Sequence, residues 1–442
     1  MQKTRERLFS SEAKDGSSQN LHDHTRMTDA LAQAMMELSF KEREETLFAI
    51  HGVSNKITET PELIEKSLLE LEQCLVLADN SQILKEAKNQ NASYVDNFKF
   101  RLKFLRAERF DPPKACKRLL KFLELKCALF GAHTLGRDLT LADLDSKSRE
   151  CLDSGYQQTL PLRDTAGRNV YLTNTAYRRV TFTEIHKAQT WLYQMEVASS
   201  DEDVQKDGVI MVILNHGSSA DADRVSLEAD IECRTASIRQ FCELLVVFPL
   251  RYECIHICSD RAEDRALVVY MLDESDQSRF RARYQYHEGT FDQYKTTLMT
   301  YGIPVSHFPI ETDGTTSLIQ HEEWLSWRKK VEKSNDDSPG KVSFYSYRPQ
   351  DVLLGTSKTV KNHVGNFLYH ELIHERLDDF NKSLRKTNVA QEIMDYIRSN
   401  RGRFIRATSV GGWEEVEDEV SIKRICNSFR DRRKVVRKRL TT

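Results

Sequence analysis

The chain has 442 residues and a mass of 51.3 kDa, 39% of them hydrophobic and 30% charged; the charged share exceeds the ~25% of an ordinary soluble domain. With 17 Gly and 9 Pro, it holds about half the usual complement of chain-turning residues, which argues against an all-β protein of tight turns and against collagen-like or Pro-rich disorder. The formal charge of −2 hides an asymmetry: residues 341–442 carry 21 Lys and Arg against 13 Asp and Glu (+8), and residues 1–340 carry 44 against 54 (−10).

Length allows about three domains, and the opposite charges point to parts with different partners. The start, Met1 to Arg7, lacks the apolar stretch of a signal peptide. The longest apolar runs, Gly208 to Leu214 and Leu244 to Leu250, are too short to span a bilayer. Nine scattered cysteines read as free thiols in a reducing compartment. The expected location is cytoplasmic and peripheral to membranes, with a nuclear alternative.

In chain order, residues 1–27 lack periodicity and read as a disordered tail. Helical spacing begins after Thr28 with Leu31, Met35 and Leu38. Thr60-Pro61-Glu62 announces another helix: an N-cap, Pro at the first position and an acid in the first turn. Phe98 to Phe130 is amphipathic and divided by Asp111-Pro112-Pro113. Ten Lys and Arg lie between Lys99 and Lys126, and they read either as a solvated bundle face or as a basic surface for anionic lipid.

Past residue 150 strands and helices alternate. Strands are predicted at Asn169 to Thr173, Val209 to Leu214, Glu253 to Cys258, Ala266 to Leu272 and Phe280 to Tyr286. Helices are predicted at Val225 to Phe248 and Thr290 to Tyr301. The middle is therefore α/β with a largely parallel sheet. Lys329 to Lys341 reads as a polar linker. Beyond it, helices are expected at Phe367 to Leu384, Asn388 to Arg398 and Val420 to Arg439, with a small hairpin of Arg403-Phe404-Ile405 and Trp413 across Gly411-Gly412.

Phe104-Leu105-Arg106-Ala107-Glu108-Arg109-Phe110-Asp111, followed by Lys114-Ala115, resembles the entry signature of the CRAL-TRIO (Sec14-like) lipid-binding family. Gly167 to Tyr171, Gly208 to Leu214, Phe248-Pro249-Leu250-Arg251 with Glu253 to Cys258, and His287 to Thr290 with Tyr301 to Pro304 are similar to later blocks of that family, in order. The resemblance covers about residues 30–310. It implies an N-terminal helical region and an α/β domain whose largely parallel sheet floors an apolar cavity. It also implies non-catalytic binding or transfer of a hydrophobic ligand: a phospholipid, with a phosphoinositide as one option.

Phosphoinositide-selective members of the family use a charged pair in the site; Arg279, Arg281 and Arg283 all fall near the right strand. Asp351 to Gly355, Asn362 to Asn366, Gly402-Arg403-Phe404 and Trp413 resemble an uncharacterised domain common in diatom proteins. Thr356-Ser357-Lys358 stands where that family usually continues with Arg-Gly.

The resulting division is a tail over 1–27, a helical region over 28–135 and a lipid-binding domain over 136–312. A helix and linker over 313–343, a helix-rich C-terminal domain over 344–430 and a basic tail over 431–442 complete it. The lipid-pocket candidates are Val212, Leu214, Cys254, His256 and Cys258. Cys254, His256 and Cys258 share one strand face and Ile255 and Ile257 the other; either face can look into the cavity. Arg432, Arg433, Lys434, Arg437, Lys438 and Arg439 are candidates for contact with a membrane or other anion. No metal or cofactor is expected beyond a bound lipid. The expected partners are a phospholipid or other hydrophobic small molecule, a membrane surface met transiently, and an unidentified protein or nucleic acid at the C-terminal domain. A nuclear, nucleic-acid-associated regulator acting through that domain is the alternative function.

Three motifs carry less. His370-Glu371-Leu372-Ile373-His374 has the spacing of a zinc helix, but only Glu392 offers a third ligand. Cys254-x-His256-x-Cys258 lacks a second pair. Gly355-Thr356-Ser357-Lys358-Thr359 lacks the order of a phosphate loop.

Overall fold

The computed structural model describes residues 26–27, 29–53, 57–78, 81–177, 181–215, 242–260, 264–265, 268–269, 272, 281–305, 308–310, 317–333 and 344–441. The chain forms two compact units, residues 1–158 with 170–301 and residues 159–169 with 302–442. Both mix helix and strand.

In the first unit residues 26–27 and 29–36 are helical, where helical spacing is expected after Thr28. Then come α1 (Phe40–Ile50), α2 (Pro61–Leu77), α3 (Gln82–Val95), α4 (Phe98–Ala107) and α5 (Pro112–Phe130). Two of the helix starts are those read from the sequence. The Thr60 hydroxyl accepts from the Leu63 N–H, and the Asp111 carboxylate from the Lys114 N–H, each ahead of a first-turn proline. Phe104, Leu105, Leu119, Phe122 and Leu123 are fully buried, each contributing about 1.5–3 kcal/mol. The ring of Phe104 meets those of Phe100 and Phe122 at 5.3 and 5.4 Å.

The basic residues of this stretch do not form one solvated or lipid-facing surface. Arg101, Arg106, Arg118 and Lys126 are buried and paired: Arg101 with Glu72 and Asp96, Arg106 with Glu59 and Glu202, Arg118 with Glu108, Lys126 with Glu196. Asp96 and Glu108 lie five and ten residues from their partners, but Glu72, Glu59, Glu202 and Glu196 come from sequence-distant segments, so local patterning alone could not reveal those contacts.

After α6 (Ser146–Asp153) come β1 (Gln157–Thr159), β2 (Asn169–Asn174), α7 (Glu184–Ala198), α8 (Glu202–Asp207), β3 (Val209–Asn215), β4 (Tyr252–Ser259), β5 (Tyr284–Glu288) and α9 (Phe291–Thr300). The sheet order is β1-β2-β3-β4-β5. The β3–β4 and β4–β5 pairs are parallel, and every residue of β4 is buried. The strand expected at Ala266 to Leu272 is not formed; residues 268–269 and 272, its described part, are helical. A short apolar run of this kind fits either element by periodicity. The strand expected from Phe280 begins only at Tyr284. Residues 1–25 of the tail expected over 1–27, most of the helix expected at Val225 to Phe248, and residues 334–341 of the linker expected from Lys329 lie outside the described residues. Residues 26–27 are helical, and Lys329 to Lys333 continue a helix and are not linker.

The second unit contains α10 (Ile319–Lys333), β6 (Val352–Leu354), α11 (Lys358–Asn362), α12 (Val364–Glu375), α13 (Leu377–Lys382), α14 (Lys386–Ser399), β7 (Phe404–Ala407), β8 (Trp413–Glu415) and α15 (Asp418–Thr441). β6 pairs parallel with β7, and β7 pairs antiparallel with β8 as the hairpin reading expects. Tyr369, Ile373, Phe380, Ile393, Phe404 and Phe429 share one core, in which Phe380 stacks on Phe429 at 4.1 Å. The single helix expected from Phe367 to Leu384 is broken at Arg376, which ends α12 and starts α13. Asp378 and Asp379 open that new first turn, where the helix dipole favours acids. Leu384, the last residue of the expected helix, lies past the helix end and is fully exposed.

Candidate functional site

The strand register decides which candidates meet. Val212 lies beside His256, Leu214 beside Cys258 and Ile210 beside Cys254. All five lipid-pocket candidates therefore share one face of β3 and β4, continued on β5 by Gln285 and His287. A register shift between Val209 and Ile210 puts Tyr252 on the opposite face, with Ile255 and Ile257. There the Tyr252 hydroxyl reaches the Met195 sulfur of α7 at 3.0 Å.

On the candidate face, His256 Nδ1 and His287 Nε2 are 2.9 Å apart and their rings stack. Tyr301 meets His256 edge-on at 4.8 Å and stacks on His51 at 5.3 Å. One proton can lie between two ring nitrogens at that distance; a second would set N–H against N–H. Burial lowers the His287 pKa from 6.5 to about 4. Between those values the unfolded chain binds a proton that the folded chain refuses, so stability falls as pH drops through that interval. At about 1.4 kcal/mol per pH unit the loss approaches about 3 kcal/mol. Urea unfolding at pH 7 and pH 4.5 should show it, and His287→Gln should remove most of the difference. An equal acid loss in the variant would contradict this origin. Cys254 donates to the Arg283 carbonyl at 3.3 Å, and burial raises the Cys258 thiol far above its ordinary value.

The charged feature of this unit was not assigned from sequence. Arg251 precedes β4 and Arg283 precedes β5, so two parallel strands bring both guanidiniums to the same end of the sheet. Both pair with Glu253: Arg251 through Nε, and Arg283 through Nη1 at 2.8 Å. Despite complete burial, the positive charges of Arg251, Arg283 and Arg109 hold the Glu253 carboxyl far below the usual range. Arg251 also donates to the carbonyls of Arg106 and Lys206 at 2.8 Å.

Arg109 comes from the turn between α4 and α5, where it and Phe110 hold φ of 54° and 60°. That left-handed backbone is unfavourable for both residue types. Its guanidinium faces Glu45 at 3.7 Å, and burial lowers its pKa. These groups line a cleft of about 450 Å³ that also holds Lys41, Lys114 and Arg118. Arg118 is held by Glu108 at 2.6 Å and the Phe248 carbonyl at 2.7 Å. Of the three arginines weighed for the charged pair, Arg283 lies in the cleft, Arg281 pairs with Glu37 at 2.7 Å, and Arg279 lies outside the described residues. Arg109 and Arg251 both stood inside blocks quoted for the resemblance, which was the only sequence signal for them.

In the second unit His370, Glu371 and His374 are exposed. Glu392, the one candidate third ligand, is taken by Arg376. Among the described residues no group of three or more His, Cys, Asp or Glu is placed to hold a metal ion. Arg433 and Lys434 are exposed on α15 and Arg432 is half-buried; the side chains of Arg437, Lys438 and Arg439 lie outside the described residues. Among the described residues no helix is long and apolar enough to cross a membrane.

The C-terminal motifs are structural in this chain. Asp351, fully buried, accepts from the Arg403 N–H at 2.9 Å, from its guanidinium at 2.8 and 3.2 Å, and from the Arg348 N–H at 2.9 Å. Asn366 accepts from the Leu353 N–H at 2.8 Å and donates to the Leu353 and Val360 carbonyls at 2.9 Å. Gly365 and Gly402 lie so close to the Asp351 and Gln350 carbonyls that a Cβ would sit 2.2 and 2.3 Å from them; only glycine fits. Residues 351–431 match the family described as a domain of unknown function (DUF6824). The chain thus carries a C-terminal domain of unknown function. No CRAL-TRIO match is found, and no curated protein matches the chain.

Proposed function

We propose that the first unit binds, and transfers between membranes, a phospholipid with an anionic headgroup, as the resemblance to Sec14-like proteins implies. Its chemistry is non-catalytic. The observation that supports this most is the convergence of Arg109, Arg251 and Arg283 on Glu253 at one end of the parallel strands β4 and β5. Two guanidiniums share one carboxylate, and the third is only loosely paired. An approaching phosphate would thus find donors held in place by protein carbonyls and carboxylates, where charge-assisted hydrogen bonds are strong. The acyl chains would lie along the sheet, and the Val212, Leu214, Cys254, His256 and Cys258 face is the proposed floor. The basic end of α15 would localise the protein to an anionic surface.

Arg109→Gln tests the headgroup part without touching the Glu253 pairs. With labelled lipid moving between vesicles, phosphatidylinositol transfer should fall about tenfold, the loss of one charged hydrogen bond, and phosphatidylcholine transfer should hold steady. An equal fall for both lipids would count against the cleft as a headgroup site.

A further inference from the structure

The second unit holds a cavity of about 780 Å³ that plays no part in the lipid reading. Its floor is aromatic. Tyr347 meets Trp413 edge-on at 5.3 Å, and Trp327 lies against Tyr345 at 5.8 Å. The Tyr345 hydroxyl donates to the Gln320 carbonyl at 2.7 Å, which fixes that ring. One wall is a single stripe of α10, on which Gln320, Glu323, Trp327 and Lys330 follow at i, i+3, i+7 and i+10. Ten helical residues make that wall about 15 Å long. Lys358, Thr359 and Asn362 of α11 add a second polar edge.

The charges along this floor are uncommitted. Glu323 and Lys330 are exposed, and among the described residues neither they nor Lys358 form an ion pair. A bare phosphate ligand would gain from the lysines and be repelled by Glu323. A ligand carrying both signs gains from all three. Glu323 and Lys330 are seven residues apart on one helix, about 10.5 Å along its axis. A polyproline-type chain rises about 3.1 Å per residue, so three residues cover about 9.3 Å. Aromatic grooves with fixed rings suit such chains, which lose little entropy on binding.

We propose that this groove binds a short extended peptide in which a basic and an acidic residue stand three positions apart, with proline or another apolar residue between them. The basic residue faces Glu323, the acidic one faces Lys330, and the apolar residue lies on Trp413 and Tyr345.

The test is selection of a displayed random 12-residue peptide library on the full-length chain, beside the charge-reversed double variant Glu323→Lys, Lys330→Glu. Both replaced side chains are exposed, so the variant should fold as the parent does, which circular dichroism verifies. The parent should enrich peptides with Lys or Arg three residues from Asp or Glu in one fixed N-to-C order. The variant should enrich the reversed order and bind the parent's peptides about tenfold more weakly. Failure to enrich a motif, or enrichment of the same motif by both chains, would overturn the proposal. So would saturable binding of ATP to the parent at micromolar concentration that displaces the selected peptides, which would assign the groove to a nucleotide.

Discussion

Lys126→Met is expected to destabilise the first unit by about 3–5 kcal/mol at neutral pH, the usual result of removing one partner from a buried ion pair. Lys126 is fully buried; its ammonium donates to Glu196 at 2.6 Å and to the Arg137 carbonyl at 2.6 Å. Glu196 also accepts from the Leu139 N–H at 3.3 Å, beside a Tyr94 hydroxyl that donates to Asp138 at 2.6 Å. Methionine keeps the volume and removes the charge, leaving a carboxylate in an apolar site. Burial already raises the Glu196 pKa despite Lys126. In the variant the folded chain would therefore take up a proton at a pH where the unfolded chain has not. Stability would then fall as pH rises through that interval, and the difference from the parent would shrink in acid. The double variant Lys126→Met, Glu196→Gln should recover most of the loss. Urea midpoints of the parent, the single variant and the double variant at two pH values read the effect; a single variant as stable as the parent would mean the pair is not buried as described.

Asp351→Ala should destabilise the second unit by a similar amount, about 3–5 kcal/mol. Asp351 is fully buried and its two oxygens take four donors: the Arg403 and Arg348 N–H groups and two guanidinium nitrogens of Arg403. These bonds fasten the start of β6 to the start of β7, whose parallel pairing begins at Val352 and Phe404. Removing the carboxylate takes its acidic partner from the Arg403 guanidinium, which also lies over the Phe344 ring at 4.5 Å. Calorimetry should show a lowered second-unit transition with the first-unit transition unmoved. A uniform shift of both, or none, would contradict this role.

The sequence revealed what depends on neighbours along the chain. Thr60-Pro61 and Asp111-Pro112 start helices because capping and proline geometry are local. Val209 to Leu214 is legible as a buried strand, since a continuous apolar run suits a sheet covered on both faces, and Glu253 to Cys258 is legible as the strand that follows Pro249. Their period of two places Cys254, His256 and Cys258 on one face, and the register then adds Val212 and Leu214. The cleft was illegible for the opposite reason. Arg283 was one of three arginines near the right strand, but nothing along the chain joins it to Arg109 and Arg251 until the fold brings Glu253 among them. Lys126 and Arg118 misled in the same way: in a helix rich in lysine, nothing local separates a buried, paired cation from a solvated one. The C-terminal motifs were visible as motifs, but their work as backbone staples required the close approach at Gly365 and Gly402.

The first unit is proposed to carry an anionic phospholipid. The most direct measurement is mass spectrometry of the organic extract of the purified full-length chain, with the bound lipid quantified against protein. Close to one anionic phospholipid per chain is expected, replaced on incubation with labelled phosphatidylinositol vesicles. A chain that emerges free of lipid and takes none up from those vesicles would contradict it.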